Sequence, residues 1–434
     1  MLVTSTWEGE RTGTETLWDR LDRRRILVDP RVRDALRDVS VVEFVAPELR
    51  SAAWLDAPLP TSIPEPQTVL PSPRYLAMLL QMLELERGVT ILLLGSGGGY
   101  LEALLARLVE PAEVTVWEED EAVSFAAKTA LGAQGFGDRV AFVTAPPPNA
   151  RFDRVTTTDA IQGLVPTAKE AIADMGFAVF RRYHEAFGFV KVLRSGDEYV
   201  ELSTTDLAVP MRADAGAARR VSTVDVSREL LLARMLENVW RGRPESEHEK
   251  HFLAVVDDTY AKAEEMPPMA ADDAVRYDAA KKLFHIGYVY QSAGDLEASV
   301  DAYRASIAVR PTAEAHTFLG WVYSFQDRYD EAIAECERAI AVDPAFGNPY
   351  NDIGAYLIEL DRLDESIPWF EKAKTAKRYC CYFYAYSNLA RVYMMRGMTA
   401  KAKRELEEAL RINPEYEFAR DLLRRIERGR DYIE

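Results

Sequence analysis

Histidine and cysteine are the scarcest reactive residues in this chain, five and three among 434. Cys336, Cys380 and Cys381 have neither zinc-site nor disulfide-framework spacing, which excludes a stapled scaffold and leads us to expect a reducing, cytoplasmic setting. His248 and His251 stand three apart between Glu247 and Glu249. The pattern is not His-Glu-x-x-His and brings no third ligand, so no metal site is expected. No apolar run approaches the roughly 20 residues of a membrane span. Residues Met1 to Thr16 lack the apolar core of a secretory leader, so none is expected. Basic residues are in deficit, 53 against 70 acidic, and the net charge of −17 argues against a nucleic-acid partner.

What is present is enough apolar residue, 48%, for two or three cored domains. The chain organises around Val89-Thr-Ile-Leu-Leu-Leu-Gly-Ser-Gly-Gly-Gly-Tyr100. Ile91 to Leu94 read as a buried parallel strand running into Gly95, Gly97 and Gly99, with an amphipathic helix over Leu101 to Leu108. Such glycines allow a tight turn, a close ligand and close helix–strand packing. Nineteen residues past Gly99, the strand Val114 to Trp117 ends on Glu118, placed to take the hydroxyls of a ribose. Together these describe a nucleotide or nucleoside site in a doubly wound α/β domain.

Upstream, Leu17 to Leu49 predicts two helices, the second opened by Asp29-Pro30. Ala53 to Pro60 reads as extended, and Thr61 to Pro73 carries four prolines, which exclude helix and central strand. A loop of that length before the helix Tyr75 to Leu85 is a candidate cover for the ligand, or a plain structural wrap. Downstream come a helix from Ala122, strands at Val140 to Val143 and Phe152 to Thr158, and a helix after Val165-Pro166. Phe177 to Phe180, Phe187 to Leu193 and Tyr199 to Leu202 are expected as closing antiparallel strands, with the domain ending near Pro210.

In this order the chain resembles the protein-L-isoaspartate (D-aspartate) O-methyltransferases. The likeness rests on Asp29-Pro-Arg-Val32, Glu43-Phe-Val45, Ala57-Pro-Leu-Pro60, Gln67-Thr68, Gly95-Ser-Gly-Gly-Gly-Tyr100, Glu118, Phe152-Asp153, Val165-Pro166 and Val209-Pro210. The resemblance implies a Rossmann-like class I methyltransferase fold with S-adenosyl-L-methionine held by Gly95, Ser96, Gly97, Gly99 and Glu118. Three positions depart from it. Leu93 stands where the family has an acid facing the methionine ammonium, and Thr144-Ala145-Pro146 where it has Gly-Asp-Gly beside the adenine. The family's active-site serine falls at Pro71, and a one-residue insertion brings Ser72 or Thr68 into that catalytic role. Each lost charge-assisted bond is worth roughly 1.5–3 kcal/mol. Two together would weaken the cofactor by roughly two to four orders of magnitude unless other groups compensate.

Past a connector with helices expected from Ser227 to Trp240 and from Glu245 to Glu265, the chain repeats itself. Gly287, Gly320, Gly354 and Ala390 recur at intervals of 33, 34 and 36 residues. Tyr290, Tyr323, Leu357 and Tyr393 follow three later, and Ser299, Ala332, Ser366 and Ala402 twelve later. Pro311, Pro344 and Pro414 close three of the units. This is the tetratricopeptide (TPR) signature, a helical solenoid with a concave protein- or peptide-binding face. The third unit, with Arg378 for proline, Pro368 inside a helix and the aromatic run Tyr379 to Tyr384, is expected to be irregular. The expected division is 1–212 methyltransferase-like, 213–273 connector and 274–434 TPR, with the last helix as a cap. The resulting reading is a methyltransferase acting on a protein or peptide carboxylate recruited by the repeats. Its rival is a catalytically degenerate scaffold whose repeats bind a partner protein or a second copy of the chain.

Overall fold

A computed structural model describes residues 17–63, 68–146, 148–158, 163–182, 189–204, 226–242, 247–260 and 269–429. The chain divides into two compact units, Met1–His251 and Phe252–Glu434. The expected domain end near Pro210, the 212/213 boundary and the side chains of His248 and His251 lie outside the described residues.

In the first unit, α1 (Leu17–Arg23), α2 (Pro30–Asp38), β1 (Leu59–Pro60), β2 (Val69–Leu70) and α3 (Pro73–Met82) precede the main sheet. Asp29 caps α2 by accepting from the Arg31 amide at 2.8 Å, with Pro30 at the first helical position. Ala53 to Ala57 is turned rather than extended, because a short 3-10 helix, Pro47–Ala52, carries Ala53 into helical dihedrals. The proline-rich stretch begins and ends on the antiparallel pair β1–β2, outside the main sheet, where a missing amide breaks no ladder.

The main sheet holds β3 (Ile91–Leu94), β4 (Val114–Trp117), β5 (Val140–Val143), β6 (Phe152–Thr157), β7 (Ile172–Arg181), β8 (Phe189–Ser195) and β9 (Glu198–Thr204). Its strand order is β5-β4-β3-β6-β7-β8-β9. Helices α4 (Tyr100–Val109), α5 (Glu121–Ala133) and α6 (Pro166–Glu170) connect them. β3 is central and its residues Ile91, Leu92 and Leu93 have no exposed surface, as a strand covered on both faces requires. β8 and β9 pair antiparallel as expected, but β7 runs parallel to β6 and turns antiparallel only towards β8. The crossover through α6 sets that direction. α7 (Val226–Arg241) packs on this unit: the Trp240 indole donates to Pro58 O at 2.7 Å and Arg181 pairs with Glu237 at 2.7 Å.

α8 (Glu247–Thr259) runs to the edge of the second unit, where Val256 and Tyr260 join the first repeat's core. There α9 (Ala271–Ser292) to α16 (Thr399–Ile412) form four antiparallel pairs, with α10 (Leu296–Val309), α11 (Ala313–Ser324), α12 (Tyr329–Val342), α13 (Asn348–Glu359), α14 (Leu363–Ala373) and α15 (Tyr382–Met395) between. α17 (Glu417–Glu427) caps them, burying Ala419 and Leu422 and leaving its arginines on the surface. The small residues do what the period predicted. Ser299, Ala332, Ser366 and Ala402 have no exposed surface, and the Ser299 hydroxyl donates to Gly287 O at 2.9 Å across its pair.

The irregular third unit is real and local. α14 runs through Pro368 unbroken, and the chain then leaves the repeat pattern between α14 and α15. Arg378, where a closing proline would stand, exchanges backbone hydrogen bonds with Ala345 (2.8 Å) and Gly347 (2.9 Å). Its guanidinium sits 4.1 Å from the Phe346 ring centroid and meets Asp343 at 2.8 Å and buried Glu314 at 2.7 Å. One side chain thus ties two successive units. Removing it strands a buried carboxylate, so Arg378→Met should lower the second unit's unfolding free energy by about 2–4 kcal/mol. Arg378→Lys should recover part of that, and urea unfolding of the full chain measures both.

Candidate functional site

The chain leaves β3 for β4 and β5 on one side, then returns to β6 on the other. Ligands of doubly wound sheets bind outside the carboxyl ends of the strands at such a reversal. The loop Gly95 to Gly99 lies there, with Thr158 just past the end of β6. A Cβ added at Gly97 would come within 3.1 Å of the Thr158 side chain. Gly98 (φ +86) and Gly99 (φ +105) are held in left-handed dihedrals open to glycine. A Cβ at Gly98 would lie 2.7 Å from the Thr61 methyl, and one at Gly99 2.9 Å from the Phe44 ring. The segment before the sheet is thus pressed onto the glycine loop at Thr61 and Phe44.

Every amide of the loop has an acceptor. Gly95 donates to Trp117 O at 2.9 Å, tying the turn to the end of β4. Ser96 N donates to Glu118 Oε2 at 2.8 Å, while Glu118 Oε1 takes the Asp120 amide at 2.8 Å. Gly97 N and Gly99 N donate to the two oxygens of Glu102 at 3.2 and 3.1 Å, and the Ser96 hydroxyl to the same carboxylate at 2.5 Å. Gly98 N reaches the Ser96 hydroxyl at 3.3 Å. Glu118 is half-buried, and each of its oxygens retains a lone pair for a ligand hydroxyl.

Glu102 went unread in the sequence. It has no exposed surface, and burial pushes its carboxyl above the usual range against the pull of Ser96, Gly97 and Gly99. The available signal was its place at the third position of a helix begun by Gly99, the reciprocal half of a capping box.

Of the two catalytic candidates, Ser72 is 1% exposed and caps α3, its Oγ accepting from the Tyr75 amide at 3.4 Å. Thr68 is half-buried, and its hydroxyl hydrogen-bonds that of Thr61, whose methyl touches the glycine loop. Thr61 and Thr158 thus pack against the loop, with Thr68 bonded to Thr61, and sequence reading found one of these three. The buried pair Arg74–Asp56 (2.6 Å) anchors the far end of the proline-rich stretch. Leu93 has no exposed surface and Ala145 is exposed, so neither supplies a polar group to the site. Among the described residues no group of three or more His, Cys, Asp or Glu side chains could hold a metal ion, and no helix is long and apolar enough to cross a membrane.

A mostly parallel sheet with a strand-order reversal, a glycine turn and an acid ending the next strand defines the first unit as a Rossmann-like nucleoside-binding domain. The family model for protein-L-isoaspartate (D-aspartate) O-methyltransferases matches residues 12–168, and tetratricopeptide models match 277–312, 313–346 and 383–416. A protein-L-isoaspartate O-methyltransferase of Thermococcus onnurineus is 32% identical over 203 residues, 42% of this chain and 90% of that protein. One from Pyrobaculum arsenaticum is 30% identical over 205 residues, 45% of this chain and 98% of that one. A solved structure of a putative enzyme of this name from Plasmodium falciparum, in complex with S-adenosyl-L-homocysteine, is 15% identical with a TM-score of 0.37, covering 43% of this chain and 92% of that one. The chain belongs to the protein-L-isoaspartate (D-aspartate) O-methyltransferase family, whose members use S-adenosylmethionine, and continues into TPR repeats.

Because Glu102 holds its proton to higher pH when folded, its contribution to stability is complete below its ordinary 4.5 and is lost as pH rises through the raised value. Glu102→Gln should flatten this slope in the first unit's unfolding free energy, read by denaturant titrations between pH 4 and 8.

Proposed function

We propose that this chain is an S-adenosylmethionine-dependent methyltransferase that modifies a carboxylate on a protein or peptide held by its repeats. The single observation that carries the reading is Glu118, half-buried at the end of β4, with both oxygens braced by backbone amides and lone pairs left for a ribose. When bound, S-adenosylmethionine supplies an electrophilic methyl group. The protein's own task is then positional, since methyl transfer needs an acceptor oxygen held in line more than it needs acid or base.

Gly98 and Gly99, bare of side chains, let Thr61 and Phe44 pack onto the loop. Thr68, hydrogen-bonded to Thr61 beside the loop, is a donor able to orient an acceptor carboxylate, with Thr158 on the loop's other flank. Ser72 is left to its helix. The TPR unit supports a recruiting role because such stacks present extended peptide-binding surfaces.

The competing reading, a degenerate scaffold, draws on Leu93 and Ala145, which leave the ligand's ammonium and adenine without the family's acids. Calorimetric titration with S-adenosylmethionine and S-adenosylhomocysteine separates the two. Binding that Glu118→Ala weakens by roughly 10- to 100-fold, the value of a charge-assisted bond, supports the enzyme. Absence of binding at millimolar ligand sinks it. An isoaspartyl peptide added to the bound enzyme, with Thr68→Val as the comparison, then tests the acceptor side through methyl ester formation.

A further inference from the structure

Between α14 and α15 two anchors leave only Cys380 and Cys381 between them. On one side Arg378 is fixed by its backbone bonds to Ala345 and Gly347 and by Asp343 and Glu314. Tyr379, 7% exposed, is packed hard against Gly347. On the other side α15 opens at Tyr382, with Tyr384 N donating to Cys381 O at 2.9 Å and the Tyr382 hydroxyl to Ala376 O at 2.5 Å. The Tyr379 and Tyr382 rings stack edge-on, 5.3 Å apart, across the pair. Held from both ends, the two thiols converge to 2.9 Å between sulfurs. Cys380 is exposed, Cys381 partly so, and both are free.

We propose that Cys380 and Cys381 form a vicinal dithiol, an oxidative modification site that closes to a cyclic disulfide with a low-molecular-weight disulfide as oxidant. The exposed Cys380 reacts first. Its thiolate attacks one sulfur of the oxidant, forming a mixed disulfide and releasing one thiol. The Cys381 sulfur then attacks Cys380 Sγ, breaking the mixed disulfide and releasing the second thiol, which carries off the Cys381 proton. Two electrons pass to the oxidant and two protons leave the protein. Burial, reinforced by its neighbour, pushes the Cys381 thiol up to about 12, which disfavours its thiolate and leaves the first attack on the oxidant to Cys380.

Adjacent residues lie about 3.8 Å apart at Cα, short of the roughly 4.4–6.8 Å that disulfides usually span. The ring is therefore strained and readily reopened by free thiol, the mark of a reversible site. Closure would lock the one junction where the solenoid departs from its repeat.

The test is treatment of the reduced full-length protein with glutathione disulfide, followed by alkylation in denaturant and peptide mass analysis. Alkylatable thiols should fall from three to one, buried Cys336 remaining. The peptide holding Cys380 and Cys381 should lose two hydrogen atoms, carry no glutathione, and recover both thiols with reduced glutathione. Cys381→Ser should stop at one glutathione on Cys380, and Cys380→Ser should react more slowly. Three alkylatable thiols after excess oxidant, a persistent glutathione adduct on the wild-type pair, or disulfide-linked dimers would each overturn the assignment. Faster glutathione uptake by Cys380→Ser than by Cys381→Ser would overturn the order of attack.

Discussion

Five successive amides, from Gly95 to Gly99, turn the chain from the central strand into α4 where little water reaches. Each one left unbonded would cost about 1–3 kcal/mol. Two carboxylates take three of the five, and Trp117 O and the Ser96 hydroxyl take the other two. Glu118 accepts from Ser96, and Glu102 accepts from Gly97, Gly99 and the Ser96 hydroxyl. The remaining order of the site follows from this turn. With the loop held, its bare glycines can take the Thr61 and Phe44 side chains, and Thr158 can close against Gly95 and Gly97. The same bonds carry a chemical consequence. A glycine turn at a helix start ordinarily offers its amides to a ligand phosphate. Here each of them is already bonded within the protein.

The segment lying on that turn is held from outside the sheet. β1 and β2 clamp its two ends, and the buried pair of Asp56 with Arg74 fixes the start of α3. Proline explains its independence: with few amides to pair, it cannot compete for a place in the main sheet. A hydrogen bond between Thr61 and Thr68 then joins its two sides, with Thr61 against the glycine loop.

In the second unit packing and polarity pull against each other. Small residues at fixed intervals let helices of a pair approach, yet polar groups are drawn in with them. Burial lowers His285 to about 4 and raises Asp352 to about 7. These shifts oppose one another in their effect on stability. The unfolded chain protonates the histidine as pH falls below 6.5, while the folded Asp352 holds its proton as pH rises from 3.8 to 7. Where the repeat breaks, the ion pairs of Arg378 replace a proline's steric stop with an electrostatic tie.

What the sequence by itself determined was periodic or local. The strand–glycine–helix run, Glu118 at the next strand end, the proline-rich exclusion and the TPR register are all read from neighbours in the chain, because apolar period and dihedral restriction act over a few residues. The family followed, since its motifs keep their order. Tertiary structure alone decided the rest. Glu102 looks like any acid on an amphipathic helix until burial and three donors make it part of the turn. Thr61 and Thr158 come from opposite sides of the glycine loop in sequence, and Ser72 caps α3 while Thr68 meets Thr61. The direction of β7 depended on its neighbours in the sheet. Such assignments rest on which distant groups meet and on how much water is excluded where they do, and a one-dimensional pattern records neither.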